Sequence, residues 1–537
     1  MRLAAVDPTT PLRSSAPSSR ALDGTPTRPP PGDVPHFQQD FIDIIPSNWM
    51  VISVTLSEDL TELYIGSVQS GQAPLVLRLP LNRHAGNDDE DMDFSYETAL
   101  KELKDVLSSS NASTKRAKDI RDRETKLAWW NERIALDARL KVLLENIELC
   151  WLGGFKGIFN NRKSDAKLFA RFRASFAQIM SKHLPFCRGR KSKAVGDIDA
   201  RLLELFIALG PPPASDVEND EDKTAELLED IIYFVLDIYQ FHGEPIAYDE
   251  VDIDQMVVDL QEALRSYHEA LGKVKDHEEA HLILILDKSV QMFPWESLPV
   301  MRGQSVSRLP SLAALRERLQ RLSGPEEDSD DDESCNGDRQ TGDVVVRKES
   351  GSFILNPSGD LVNTQKVFAD KFSNLPGWTG IIGRTPMEEE YRRALTSPDI
   401  FIYMGHGSGE QYLRSAALNR LKKCAVTLLM GCSSGELKEA GDFEPSGTAL
   451  SYVIAGCPTL VANLWDVTDK DIDLFSVKVL ERWGLLKEDE TKKHSKRTDA
   501  EEKTSLVRAV ALSRDECTLK YLNGAAPVVY GIPCYLK

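Results

Sequence analysis

The chain has 537 residues, with 65 Lys and Arg against 84 Asp and Glu, a formal net charge of −19. The length allows two or three domains with full cores, and 41% apolar content excludes wholesale disorder. The acidic excess argues against direct nucleic-acid or anionic-membrane binding, and no apolar run approaches the ~18 residues of a membrane span.

Residues 1–40 are rich in Pro, Ser, Thr and Arg, and no apolar core separates Arg2 from Arg13. This predicts a disordered leader without a secretory signal. Residues 41–94 form a small β-rich segment, with runs at Trp49–Leu56, Glu62–Val68 and Pro74–Pro80 as a meander, then a polar loop at His84–Asp93. Residues 95–280 read as a large helical insert. Leu100, Leu103 and Val106, then Leu127, Trp130, Ile134, Leu136 and Leu140, recur at helical spacing, with a polar break expected at Ser108–Thr114. Further helices are expected at 165–183, 198–209, 224–241 and 253–274, with a joint at Gly210–Pro213 and Asp216–Asp222. Trp129 and Trp130 are read as packing or partner-facing aromatics.

Residues 281–537 follow a different pattern. The continuous apolar run His281–Asp287 fits a buried strand of a parallel sheet, as do Val344–Val346, Asp399–Met404, Ala425–Met430 and Thr459–Trp465. Helices lie between them, with capping boxes at Thr385–Glu388 and Thr498–Glu501. Alternating strands and helices predict an α/β sheet. A loop over about 323–341, carrying the acidic run Glu326–Glu333, is expected to be a disordered surface insertion. Eight cysteines at irregular spacing point to a reducing compartment rather than a disulfide framework.

Three of these strands end in loops that can carry chemistry: Gly405-His406-Gly407, Gly431-Cys432-Ser433-Ser434-Gly435, and Asp466-Val467-Thr468-Asp469. Ligands bind beyond the carboxyl ends of parallel strands, so His406, Cys432 and Asp466 are expected on one rim. His406 and Cys432 stand 26 residues apart, room for one crossover. A histidine beside a cysteine can hold the thiolate and later protonate a leaving amine. The amides of Gly407 and Cys432 are candidates for an oxyanion hole. Asp466 and Asp469 are candidates to bind a guanidinium, with Asp473 one helical turn further on. Thr468 as N-cap, with Asp469 and Asp471 in the first turn, is the competing explanation for those two acids; Asp466 lies outside that helix and is the better pocket candidate. The string Gly431–Gly435 also matches G-x-S-x-G with Ser433 as nucleophile. That plan, like an amidotransferase plan, needs a downstream histidine, and His494 in a Lys-rich polar stretch is the only one. Cys424 and Cys432 do not make a zinc site.

The order His then Cys at successive strand ends resembles the caspase-like clan of cysteine proteases. Met292–Pro299, Arg302–Arg308, Phe401–Gln411, Met430–Leu437, Asn463–Asp473, Tyr521–Pro533 and Ile45–Trp49 together resemble the separase family over about residues 41–537. The resemblance implies a caspase-like, mixed but mostly parallel sheet flanked by helices in 281–537, with the helical insert outside it. It implies an endopeptidase that cuts the cohesin kleisin subunit after arginine at anaphase. Cys432 would be the nucleophile and His406 the general base and acid. Gly407 and Cys432 would form the oxyanion hole, and Asp466, ahead of Asp469 and Asp473, would line the arginine pocket. No cofactor or metal is implied. Securin would be a pseudosubstrate inhibitor, and residence would be nuclear and cytoplasmic, on the spindle in mitosis. Family members are generally longer, with a large helical N-terminal region. The competing reading is a catalytically silent module that docks partners through its helices. The intact Gly-His-Gly and Gly-Cys loops speak against it.

Overall fold

Strands β1 (Trp49–Leu56), β2 (Glu62–Val68) and β3 (Leu75–Pro80) form the expected antiparallel meander. The computed structural model describes residues 34–537 except 84–93, 117–121, 161–163, 185–197, 212–217, 245, 273–279, 323–341 and 488–503. The loops at His84–Asp93 and 323–341, the capping box at Thr498–Glu501 and most of the expected leader therefore lie outside the described residues. Short helical turns lie at Val34–Phe37 and Gln38–Ile42, across the end of that leader. Buried Ile42 follows the polar stretch and ties it to the core.

The meander is not a unit by itself. β1 pairs in parallel with β4 (His281–Leu286), in register from Trp49 opposite His281 to Val54 opposite Leu286. Most of β1 is buried, which requires cover on both faces. The remaining strands are β5 (Ser305–Arg308), β6 (Val344–Val346), β7 (Gly351–Leu355), β8 (Trp378–Ile382), β9 (Ile400–Met404), β10 (Val426–Leu429), β11 (Lys438–Ala440), β12 (Phe443–Ser446), β13 (Thr459–Asn463), β14 (Pro527–Gly531) and β15 (Cys534–Leu536). One eleven-stranded sheet runs β3-β2-β1-β4-β5-β14-β13-β10-β9-β7-β8. Pairing is parallel from β1 to β14 and again from β13 to β8. The two blocks meet at the antiparallel pair β13–β14. The fold is thus α/β with a mostly parallel sheet flanked by helices. Val344–Val346, expected in this sheet, pairs instead with β15 outside it.

The insert between β3 and β4 carries helices at Tyr96–Arg116, Arg123–Asn146, Ala166–His183, Ala200–Ala208, Glu218–Phe241 and Ile253–Leu271. Aspartates start several of them: Asp122, Asp165, Asp199 and Asp252 accept the first free amides of their helices. The break expected at Ser108–Thr114 is absent; the first helix runs through it. Ser110 and Ser113 are buried there, and Arg133 of the next helix donates to Ser110 Oγ at 3.2 Å and Thr114 Oγ1 at 3.0 Å. Tertiary partners thus override the weak helix propensity of serine. Of the apolar residues at helical spacing, Leu127 and Ile134 are exposed, whereas Leu136 and Leu140 are buried.

The insert grips the sheet domain through the Met292–Pro299 motif. Trp151 packs edge-on against Phe293 with ring centroids 5.4 Å apart, and Glu148 accepts the Val300 amide at 2.6 Å. Asp137 accepts the amides of Tyr521 and Leu522 at 2.8 and 2.7 Å. That contact fixes the loop that backs the rim described next.

Candidate active site

β7, β9, β10 and β13 run parallel, so their carboxyl ends share one rim. Register then does the positioning. Tyr403 lies opposite Leu429, a step of 26 residues; continued past the strand ends, the same step sets His406 opposite Cys432. The Met430 amide donates to Tyr403 O at 3.0 Å and holds this register at the edge of the loops. On the other side Leu428 lies opposite Val461, and the same offset pairs Ser433 with Asp466, whose side chains bond at 2.8 Å.

Gly431 lets the two loops meet. A Cβ there would overlap the carbonyl oxygens of Gly405 and Gly407 and lie 2.8 Å from the Gly407 nitrogen. These are backbone atoms that cannot swing aside. Gly407 itself has φ of 61°, a left-handed turn that glycine adopts without strain. Among the described residues, neither the Gly407 nor the Cys432 amide donates to a backbone carbonyl. Both belong to the loops that meet at Gly431 and stand as candidate oxyanion donors. Gly431→Ala is expected to reduce turnover by at least ~10-fold and to cost about 1–3 kcal/mol of stability. Steady-state assays and denaturant melts check both.

The Cys432 thiol is half-buried and donates to Val467 O at 3.4 Å. Burial pushes its pKa up, and the charges of Asp466 and Asp469 add to the shift, while backbone hydrogen bonding to the sulfur from Val467 opposes it. The resting group is therefore a thiol. His406 Nε2 lies 2.8 Å from Asp360 Oδ2, and the His406 carbonyl accepts the Tyr403 hydroxyl at 2.8 Å. With Nε2 donating to the carboxylate, Nδ1 is left as the acceptor of the ring.

Three candidate carboxylates follow β13. Asp466, the first choice from sequence, accepts the Ser433 hydroxyl, so one of its oxygens is occupied. This also accounts for Ser433, which is left-handed at φ of 50° like an elbow nucleophile but donates to a carboxylate. Asp469 is pushed up by burial; His406 opposes that shift and Asp360 adds to it, which sets the carboxyl within electrostatic reach of both. Asp473 is buried in the second turn. Burial pushes its pKa up to about 6 against a 2.9 Å hydrogen bond from Thr364, and neighbouring Asp469 adds to the rise. Thr468 is the N-cap as expected, yet its hydroxyl accepts from Asn523 at 2.9 Å and does not cap the helix. Asp471 is likewise no simple first-turn acid, since it is buried and accepts the Leu519 amide at 3.0 Å and Asn523 Nδ2 at 2.9 Å. Asn523 and Asp471 thus fasten the Asp469–Trp483 helix to the loop held by Asp137.

Sequence reasoning missed Asp360 and Thr364. Asn356-Pro357-Ser358-Gly359-Asp360, a turn with an acid just before a helix, is the signal that marks the first. Among the described residues no cluster of His, Cys, Asp and Glu has the geometry to hold a metal ion.

Comparison with known proteins covers most of the chain. The family model for the separin protease domain matches residues 58–472. The separin of Schizosaccharomyces pombe is 48% identical over 504 residues, covering 94% of this chain and 26% of that protein. The separin of Saccharomyces cerevisiae is 36% identical, covering 85% of this chain and 26% of that one. The crystal structure of the S. cerevisiae separase–securin complex superposes with a TM-score of 0.77 at 32% identity, covering 94% of this chain and 31% of that chain. The chain thus spans about a quarter of the length of the curated relatives it matches.

Proposed function

The chain belongs to the separin protease family, and on that premise we propose that it is the catalytic region of a cysteine endopeptidase cleaving after arginine. The observation that carries the arginine reading is electrostatic. Asp466 and Asp469 act on the Cys432 thiol, Asp473 adjoins Asp469, and among the described residues no Lys or Arg is seen in an ion pair with the three. A buried carboxyl held up to about 6 is unfavourable on its own and matches an incoming guanidinium.

The chemistry follows from the rim. His406 Nδ1 takes the Cys432 proton as Sγ attacks the scissile carbonyl carbon. The oxyanion that forms accepts the Gly407 and Cys432 amides. The C–N bond breaks, and the imidazolium gives its proton to the leaving amine. Water, deprotonated by His406, then attacks the thioester and frees Cys432. A bound guanidinium also offsets the carboxylates that keep the thiol protonated, so the correct substrate helps to generate its own nucleophile.

By family, the substrate proposed is the cohesin kleisin subunit, cut at anaphase. A securin chain is proposed to lie across the same rim as a pseudosubstrate, as a partner of the kind complexed with the yeast relative. Nuclear and cytoplasmic residence, with spindle association in mitosis, belongs to the same proposal. The test pairs one kleisin peptide carrying arginine at the cleaved position with its citrulline counterpart, equal in shape but uncharged. Cleavage of the citrulline peptide is expected to fall by about 100-fold or more in kcat/KM. Equal cleavage of the two removes the arginine assignment.

A further inference from the structure

We infer that Asp360 orients His406, so that Cys432, His406 and Asp360 act as one relay; the inference rests on the peptidase reading above. The geometry is direct, with Nε2 of His406 2.8 Å from Oδ2 of Asp360. A surface ion pair of this kind does not fix a ring unaided. Here the backbone carrying the carboxylate is fixed independently. Asn356, buried and left-handed at φ of 50°, ends β7. Its amide donates to Met404 O at 2.7 Å, its carbonyl accepts from Gly359 at 3.1 Å, its Oδ1 accepts from Leu361 at 2.9 Å, and its Nδ2 donates to Gln365 at 2.8 Å. One side chain thus ties the Asp360 turn to the helix Val362–Ser373, and its backbone ties the same turn to β9, the strand that delivers His406.

The consequence is a fixed tautomer. Nε2 keeps its proton on the carboxylate, and Nδ1 exchanges one with the Cys432 sulfur and then with the leaving amine. Asp360 takes no proton; it stabilises the imidazolium while the charge exists. Asp360 from the β7 turn bonds the ring, and Asp469 from the helix after β13 lies within electrostatic reach of it; Cys432 from the β10 loop stands opposite His406 in strand register, with Asp466 and Asp469 acting on the thiol. Asp469 shares the field at His406, and Asp360 makes the hydrogen bond. Asp360 is a positioning residue because it acts through the histidine.

The test uses Asp360→Ala and Asp360→Glu on an arginyl peptide, with Cys432→Ser in parallel. The Asp360 side chain is 59% exposed, so folding tolerates both changes. Asp360→Ala is expected to lower kcat ~10- to 100-fold with KM held. Asp360→Glu should recover part of the loss. Wild-type kcat in Asp360→Ala, with Cys432→Ser inactive, overturns the relay and leaves the peptidase reading standing. A raised KM at unchanged kcat places Asp360 in the arginine pocket and overturns it too. Activity in Cys432→Ser removes the peptidase reading and the relay together.

Discussion

Cys432→Ser is expected to lower cleavage of an arginyl peptide by at least ~10³-fold while leaving peptide binding nearly intact. A serine hydroxyl is far less acidic than the thiol it replaces, and the protein already holds that position in its neutral form through burial and the charges of Asp466 and Asp469. His406 is then asked to deprotonate a group beyond its reach. Ser433 does not compensate, because its hydroxyl is committed to Asp466 and its left-handed backbone directs it away from the register that pairs Cys432 with His406. The fold should be untouched, since oxygen for sulfur at a half-buried loop position opens little space. Single-turnover cleavage and a binding assay on the same preparation check both halves of the result.

Asp473→Asn should behave in the opposite way, with a more stable protein and a less discriminating enzyme. The Asp473 carboxyl rises on folding from 3.8 to about 6. Across roughly pH 4 to 6 the native state binds more protons than the unfolded chain, so this group contributes stability at low pH that is lost as pH rises. At neutral pH it is a net cost on the order of 1–3 kcal/mol, which asparagine removes while still accepting the Thr364 hydroxyl. The same substitution deletes the charge proposed to meet the guanidinium. KM for an arginyl peptide should rise and the arginine-to-citrulline ratio should fall at least ~10-fold. In the wild type, kcat/KM for arginine should also weaken as pH falls through about 6, and in the variant that component should vanish. Thermal melts at pH 5 and 7, with peptide kinetics over the same range, separate the two effects. A destabilised variant with intact preference would remove Asp473 from the pocket.

Several strands of the large sheet were legible because they are continuous apolar runs buried on both faces; β4, β9, β10 and β13 lie within a residue or two of the expected limits. Other strands of the same sheet left no such trace. β5 reads Ser305-Val306-Ser307-Arg308, yet all four residues are buried. Ser307 donates to Gly531 O at 2.7 Å, and Arg308 is paired with Glu296 at 2.6 Å and donates to the Phe293 carbonyl at 2.9 Å. Satisfied polar groups replace the apolar pattern there, and no periodicity argument detects that. Helix starts show a related limit. The cap expected at Thr385–Glu388 sits later, at Met387, because the Glu390 carboxylate accepts the Met387 amide at 2.8 Å.

The site divides along the same line. His406, Cys432 and Gly407 were readable because strand register alone brings them together, and the 26-residue spacing is that register. The hydrogen bonding of the carboxylates was not legible in the sequence. Asp466 is nearest to Cys432 in offset, but its partner Ser433 sits on the neighbouring loop, and only the three-dimensional pairing reveals that it is occupied. Asp360 comes from β7, two strands from Cys432 across β9, and reaches His406 through a turn whose shape depends on Asn356.

The central claim is that Cys432 is the nucleophile activated by His406 beside an arginine-binding group of carboxylates. The most direct measurement is covalent labelling with a peptidyl-arginine electrophile, located by mass spectrometry. One equivalent on Cys432 is predicted, lost in His406→Ala and slowed when citrulline replaces arginine in the probe. Labelling of another cysteine, or labelling of Cys432 at equal rates with and without His406, would contradict the account.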